Sequence, residues 1–207
     1  MKKILSLVLG ISLLCSSCNN VLDVEDISNY NPELVWNDAN LANAYMANLY
    51  PMFGNWNTGA DAFSQQLAGI NFYSDRITIT NGEFKLWNYG RIRLINQAIV
   101  DVNKGRLSDA VKANITAQAL FMRAYTYFEM VKFHGGIPYI TVPQDRYEDE
   151  LAVPRNSTAE CFDLIVKDLD QAMAGLPKRI APTSGDFGKI DGNFALAFKA
   201  KVLLWKA

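Results

Sequence analysis

Residues Ala117–Ile140, AQALFMRAYTYFEMVKFHGGIPYI, decide how the rest of the chain is read. Apolar side chains at Ala117, Leu120, Phe121, Ala124, Phe128 and Val131 recur at helical spacing and form one buried stripe. Ile115, Ala119, Met122, Met130 and Phe133 add a second face. A helix apolar on two faces is packed on both sides, as a middle layer is. The stop is equally marked. Gly135 and Gly136 can supply the positive φ of a helix C-terminus, and Lys132 and His134 lie near the negative end of the dipole. Pro138 forbids continuation and pushes Ile137 into an extended conformation. Ala117 and Ala124, flanked by aromatics, imply close approach of a neighbouring helix. All of this is architecture.

Working outward, the pattern predicts a helix over Phe84–Asn103, with Trp87, Ile92, Ile95, Ile99 and Val102 on its apolar face. Lys104 and Gly105 close it as a last-turn cation and a C′ glycine. Ser108 or Asp109 then caps the long helix. Nearer the N-terminus, Asn37 or Asp38 is an N-cap for a helix carrying Leu41, Tyr45, Leu49 and Met52, which Pro51 and Gly54 end. Downstream, Ser157-Thr158-Ala159-Glu160 fits a capping box. The helix it opens carries Phe162, Ile165, Val166, Leu169, Met173 and Leu176, and stops at Pro177. After a Gly/Asp-rich connection, Asn193–Ala207 begins another helix, rich in Ala, Leu and Phe, that reaches the last residue without a C-terminal cap. Two helix pairs overlay, Phe84–Asn103 with Asn114–Phe133 and Ser157–Leu176 with Asn193–Ala207. The expected fold is all-α: stacked helix hairpins resembling tetratricopeptide repeats, with one irregular, loop-rich segment.

Composition excludes more than it selects. The 207 residues are 50% hydrophobic and 20% charged with a net charge of −1. That balance gives no footprint for nucleic acid. Aromatic residues at 12% suit a helical core and would equally suit sugar stacking. Of three cysteines, Cys15 and Cys18 belong to the N-terminal segment, and Cys161 is alone and expected to be buried or inert, so no disulfide framework is available. There is one histidine, no Ser/His/Asp or Cys/His arrangement, no metal-ligand spacing and no Gly-rich phosphate loop. No catalytic residue, metal or cofactor is expected. Asp145, Glu148, Asp149 and Glu150 carry groups a hard cation would accept, but their spacing is not that of an EF-hand, and they read as a solvated loop.

The first residues, MKKILSLVLGISLLCSSC, join a positive n-region at Lys2 and Lys3 to an apolar run too short to span a bilayer. Small residues Ser16 and Ser17 precede Cys18. This resembles a bacterial lipoprotein signal over residues 1–17, with Cys18 lipidated; an uncleaved anchor helix is the alternative. Residues 18–36 read as a polar tether. The least regular stretch is Gly54–Glu83, where a short helix near Asp61–Leu67 and a brief strand at Arg76–Thr80 are expected. Long irregular segments in helical chains are where function concentrates. Trp56, Phe72, Tyr73, Asp75 and Arg76 offer rings and polar groups there, either to plug the base of the loop or to meet a ligand.

Several segments in order resemble one family, the SusD/RagB-like outer-membrane lipoproteins of Bacteroidetes. MRAYTYFEMVKFHGGIPYI resembles the family's RA-x-x-YF followed by a glycine, a hydrophobe and proline. Cys18 with Leu22-Asp23 resembles the lipidated start, and Ser74-Asp75 with Trp87 and Asn96 the loop and second helix. Arg155, Ser157, Ile165, Asp168, Leu169, Leu176 and Pro177 resemble an R-x-S and I-x-x-DL…LP region. Gly188-Lys189 with Ala197, Ala200, Lys201, Val202, Leu203 and Leu204 resembles the next helix pair. His134 sits where an aromatic is common and reads as a surface residue. The resemblance implies a lipid-anchored protein at the cell surface that binds a glycan or peptide nutrient and delivers it to a SusC-like TonB-dependent transporter, without catalysis. It implies that residues 37–207 are the N-terminal part of a longer α-helical domain whose C-terminal half is absent here. Asp75, Arg76 and Trp56 are the ligand-binding candidates. The competing expectation is a lipid-anchored helical-repeat scaffold that binds proteins in the envelope.

Overall fold

The computed structural model describes residues 31–53, 87–145 and 147–207. The lipidation candidate Cys18, the ligand candidates Trp56, Asp75 and Arg76, and the expected short helix and strand near them lie outside these. The packed unit begins at Pro32. Its elements are α1 (Pro32–Val35), α2 (Ala39–Leu49) followed by a 3-10 turn Tyr50–Phe53, α3 (Tyr89–Lys104), α4 (Asp109–His134), α5 (Thr158–Gly175) and α6 (Gly192–Lys206). Among the described residues there is no strand, and no helix is long and apolar enough to cross a membrane.

Helix α4 is the middle layer that its two apolar faces require. It is buried almost continuously from Ile115 to Val131 and packs on α3, α5 and α6. Cross-links run antiparallel between successive helices. Asn96 meets Arg123 while Asn88 lies by Met130, so α3 opposes α4. Arg123 meets Asp168 while Phe128 lies by Phe162, so α4 opposes α5. Lys199 pairs with Asp170 at 2.5 Å and Lys206 with Asp163, so α5 opposes α6. The all-α stack of hairpins is therefore the observed architecture. Where α4 meets α5, small residues set the spacing: a Cβ on Gly175 would lie 2.8 Å from the Ala113 carbonyl oxygen and 2.9 Å from the Ala117 Cβ.

The helix ends obey local rules. Asp38 caps α2 by accepting the amides of Asn40 and Leu41. Ser157 and Glu160 form the reciprocal capping box of α5. Helix α4 stops at Gly135 with φ +67°, the left-handed region that glycine enters freely. The next residue is glycine for a different reason, since a Cβ on Gly136 would stand 2.1 Å from the Asn156 carbonyl oxygen. Arg155 binds the orphaned carbonyls of this terminus, donating to His134 O at 2.7 Å and Gly136 O at 2.6 Å. Arg-x-Ser is thus one device: arginine closes α4 and serine opens α5.

Four expectations about the helices are corrected. Gly105 does not take a left-handed C′ conformation; its φ is −69°, and it is glycine because a Cβ would lie 2.0 Å from the Trp36 carbonyl oxygen. Trp87 is not on the apolar face of α3, which begins at Tyr89; its ring is half exposed. The core stripe of α2 is Ala42, Met46 and Leu49, leaving Leu41 outside. On α4 the second face ends at Met130, and Phe133 is exposed.

Candidate functional site: a groove beside the exit segment

After α4 the chain runs extended through Ile137–Thr141, and its position is set by a buried polar cluster. Arg123 forks onto Asp168, with Nε to Oδ2 and Nη2 to Oδ1 both at 2.7 Å. Its remaining nitrogen, Nη1, donates to Asn96 Oδ1 at 3.0 Å and to the Thr141 carbonyl at 3.1 Å. Asn96 in turn donates to the carbonyls of Ile140 and Val142 at 3.0 and 3.3 Å. The Tyr127 hydroxyl donates to the Ile140 carbonyl and accepts its amide, at 2.9 and 2.6 Å. Tyr139 donates to Asp168 Oδ2 at 2.8 Å, and its ring stacks on Tyr127 at 3.8 Å. An extended segment has no internal backbone partners, so burying it requires such clamps. Burial disfavours the Arg123 charge, but the hydrogen bond and negative charge of Asp168 outweigh it and hold the guanidinium above its ordinary value.

Tyrosines around this cluster, and Tyr45 on α2, are held protonated. Burial, helped by Asp168, raises Tyr139 well above 10.0, and burial raises Tyr127 likewise. Burial pushes Tyr89 up to about 12, and burial aided by Asp101 does the same for Tyr45. A phenol whose folded value exceeds its unfolded one contributes stability that is complete below the unfolded value and vanishes as pH climbs through the folded one. The expected result is a melting temperature insensitive to these groups below pH 10 and falling from about 10 to 12. Tyrosinate absorbance should lag behind pH until unfolding releases it. A tyrosinate titration centred at 10 with the fold intact would contradict this.

The clamped segment and α3 enclose an open groove of about 560 Å³. Tyr89, Arg93 and Asn96 supply one wall, and Val142, Gln144 and Tyr147 much of the other. Tyr89 donates to the Pro138 carbonyl at 3.0 Å, and Arg93 donates to the Gln144 carbonyl. The Tyr147 ring is largely exposed to solvent. The acidic loop beyond is ordered by its own carboxylates. Asp145 accepts the amides of Tyr147 and Glu148, Asp149 accepts that of Asp145, and Glu150 that of Ala152. Among the described residues no group of three or more His, Cys, Asp or Glu is placed to hold a metal ion. What the groove presents is ring face, guanidinium and amide.

Beside the groove stands Trp87, the first described residue after position 53. Its ring stacks on His134 at 4.1 Å and lies parallel to Tyr89 at 6.3 Å. His134 is therefore half buried beneath an indole, with Nε2 buried and unpartnered, and not the surface residue that its sequence position suggests. Sequence reasoning passed over Tyr89, Arg93, Gln144 and Tyr147; the available signal was an aromatic, Tyr147, inside a run of charged loop residues. The thiol of Cys161 is buried and faces the Ile137 carbonyl at 3.4 Å.

Comparison with known proteins agrees with this architecture. Residues 16–202 match the SusD-like family profile described as starch-binding, associating with outer membrane. SusD-like protein P38 of Formosa agariphila is 26% identical over 212 aligned positions, covering 92% of this chain and 39% of that protein. SusD-like protein P2 of the same organism is 36% identical over 91 positions, 43% of this chain and 18% of that one. A crystal structure of a SusD-like protein from Bacteroides fragilis superposes with a TM-score of 0.71 at 23% identity, covering 92% of this chain and 38% of that one. A laminarin-binding SusD-like protein superposes at 0.66 with 21% identity, over 81% of this chain and 40% of that one. The chain thus spans about two-fifths of the length of SusD-like protein P38 and of the Bacteroides fragilis structure. With the family profile matched over residues 16–202 and the helical stack shared with solved members, the chain belongs to the SusD-like family.

Proposed function

We propose that the protein captures a glycan at the outer surface of the outer membrane, anchored by lipid on Cys18, and passes it to a SusC-like TonB-dependent transporter without chemical change. The observation that carries this reading is the match of nearly the whole chain to a family described as starch-binding and associated with the outer membrane. A laminarin-binding relative of the same fold supports the ligand class. Capture needs a pre-formed surface with ring faces and a few placed polar groups. The groove of Tyr89, Arg93, Gln144 and Tyr147 has that composition, and Trp56, Asp75 and Arg76, which precede Trp87 in the sequence, are the further candidates. The test is glycan binding by the full-length protein, with maltohexaose and laminarihexaose as probes. Tyr147→Ala and the pair Trp56→Ala with Asp75→Ala should each weaken binding by about tenfold or more, on the order of a lost stacking or hydrogen-bonding contact. Unchanged affinity in both variants would remove this groove and loop from the site. Failure to recover a TonB-dependent transporter with the protein from solubilised outer membrane would remove the delivery step.

We further propose that these helices are the N-terminal portion of a longer domain, in which additional helices cover α6. The supporting observation is a second apolar stripe on α6, Leu196, Ala200, Leu203 and Leu204, opposite the Ala195, Phe198 and Val202 stripe that faces the core. A one-sided surface helix needs only one apolar stripe. Leu204→Glu should change the stability of the 207-residue chain by less than about 0.5 kcal/mol. In a longer form it should cost about 2 kcal/mol or more, read by chemical unfolding. Equal small effects in both would sink the idea.

A further inference from the structure

A second groove lies away from the exit segment, between α2, the N-terminal third of α4 and the connection from Pro177 to Asp191. It has a volume of about 570 Å³, and an adjoining recess of about 270 Å³ is lined in part by Phe187. A relay of hydrogen bonds sets the orientation of its amides. The Ile190 amide donates to the Tyr50 hydroxyl at 3.1 Å, which donates to Gln118 Oε1 at 2.6 Å. Gln118 Nε2 donates to Asn114 Oδ1 at 2.6 Å. Gln118 is 4% exposed and so cannot turn its amide without losing both bonds. With its Oδ1 occupied by Gln118, Asn114 has its NH₂ left to offer a ligand.

The charges point the same way. Asp186 is already taken, paired with Lys189 at 2.5 Å, whereas the Arg179 guanidinium on the same groove pairs with no acidic side chain among the described residues. Beyond the Asp186–Lys189 pair the lining therefore carries one further cation, Arg179, beside the neutral side chains of Asn43, Asn114 and Ser184. Phe187 is 63% exposed, which for a phenylalanine is worth explaining. It precedes Gly188, whose φ of +94° turns the connection there. A ring face beside a guanidinium and an amide donor suits a ligand with an apolar C–H face and an acceptor-rich, anionic edge.

We infer that this groove is a second saccharide site, selective for sugars bearing a carboxylate. The uronate carboxylate pairs with Arg179 and accepts from the Asn114 amide, and a pyranose face rests on Phe187. A guanidinium fits a carboxylate in two parallel hydrogen bonds, which gives the site its selectivity over neutral sugars. The inference rests on glycan capture as the function, and it differs from the first groove, where Arg93 is tied to the Gln144 carbonyl.

The experiment is calorimetric titration of the full-length protein with hexagalacturonate, hexamannuronate and maltohexaose. At least one uronate should bind, with affinity falling as salt rises. Arg179→Gln and Asn114→Ala should each weaken that binding by about tenfold or more, and Phe187→Ala by a similar factor. Tyr147→Ala should leave it unchanged. Arg179 and Phe187 are exposed, so their loss leaves the core intact, and circular dichroism of the variants confirms it. Uronate binding indifferent to Arg179→Gln, or no uronate binding while maltohexaose binds in a Tyr147-dependent manner, overturns the second site and leaves the proposed function standing. Binding of none of the three overturns the inference, and glycan capture then stands or falls on laminarihexaose.

Discussion

Replacing Arg123 with alanine destabilises the protein by about 3–5 kcal/mol, because it leaves a carboxylate buried and unpaired. Arg123 is 6% exposed and Asp168 4%, so neither charge has water to fall back on. The loss spreads further than the ion pair. Asn96 loses the donor to its carbonyl, and the Thr141 carbonyl loses its clamp, while among the described residues Asp168 retains only the Tyr139 hydroxyl. Removing one partner strands several others, and each stranded group carries a desolvation cost of about 1–3 kcal/mol. Relaxation and water entry keep the total near the range for a single broken buried pair. In a domain of this size the loss lowers the melting temperature by roughly 6–20 °C. The companion variant, Arg123→Met with Asp168→Leu, removes both charges and should recover a large part of the stability. If the single variant loses less than about 1 kcal/mol by urea unfolding, the cluster is not holding the fold together. The double variant also separates stability from function: by releasing Thr141 it should loosen the exit segment and weaken binding in the adjoining groove even where the fold survives.

This cluster shows where sequence reading stops. The long helix was legible because its causes are local: apolar residues at period 3.6, a glycine pair and a proline at the stop, and a capping box at the next start. Gly135, Ser157 and Glu160 do what their neighbours in sequence dictate. Arg123 and Asp168 were visible only as letters in motif strings, and their pairing across 45 positions is a tertiary fact. One clue was present. Arg123 is the only charge between Ile115 and Phe128, and Asp168 interrupts the Ile165–Leu169 stripe in the same way. A lone charge on a buried face demands an opposite one, although the sequence does not say which. Gly105 misled for the complementary reason. A glycine after a helix is usually there for its backbone freedom, but here the approach of Trp36 requires the missing side chain. The first groove was hidden because its walls are brought together by that same long-range clamp, and Tyr147 acquires meaning only once Arg93 is opposite.

Phe128→Ala should cost about 3–5 kcal/mol, the range for truncating a fully buried phenylalanine. Its ring is 0% exposed and sits where three helices meet. Phe162 of α5 approaches its edge at 6.4 Å, and Phe198 and Trp205 of α6 pack nearly perpendicular at 5.3 and 5.9 Å. Edge-to-face pairs add about 0.5–1.5 kcal/mol beyond area burial, so deleting the central ring removes several at once. Collapse cannot readily refill the space. The surrounding groups are rings on separate helices, and Lys199 and Lys206 tether α6 to Asp170 and Asp163 on α5. The residual cavity sets where in the range the cost falls. Phe128→Leu retains most of the volume and should lose appreciably less. The effect on ligand should be the reverse of a binding residue's: affinity of the folded fraction for glycan stays unchanged while the unfolding midpoint drops. Were Phe128→Ala instead to abolish glycan binding with the midpoint intact, the aromatic run Tyr125–Phe128 would have to be read as a ligand platform, and the middle-layer account of α4 would be wrong.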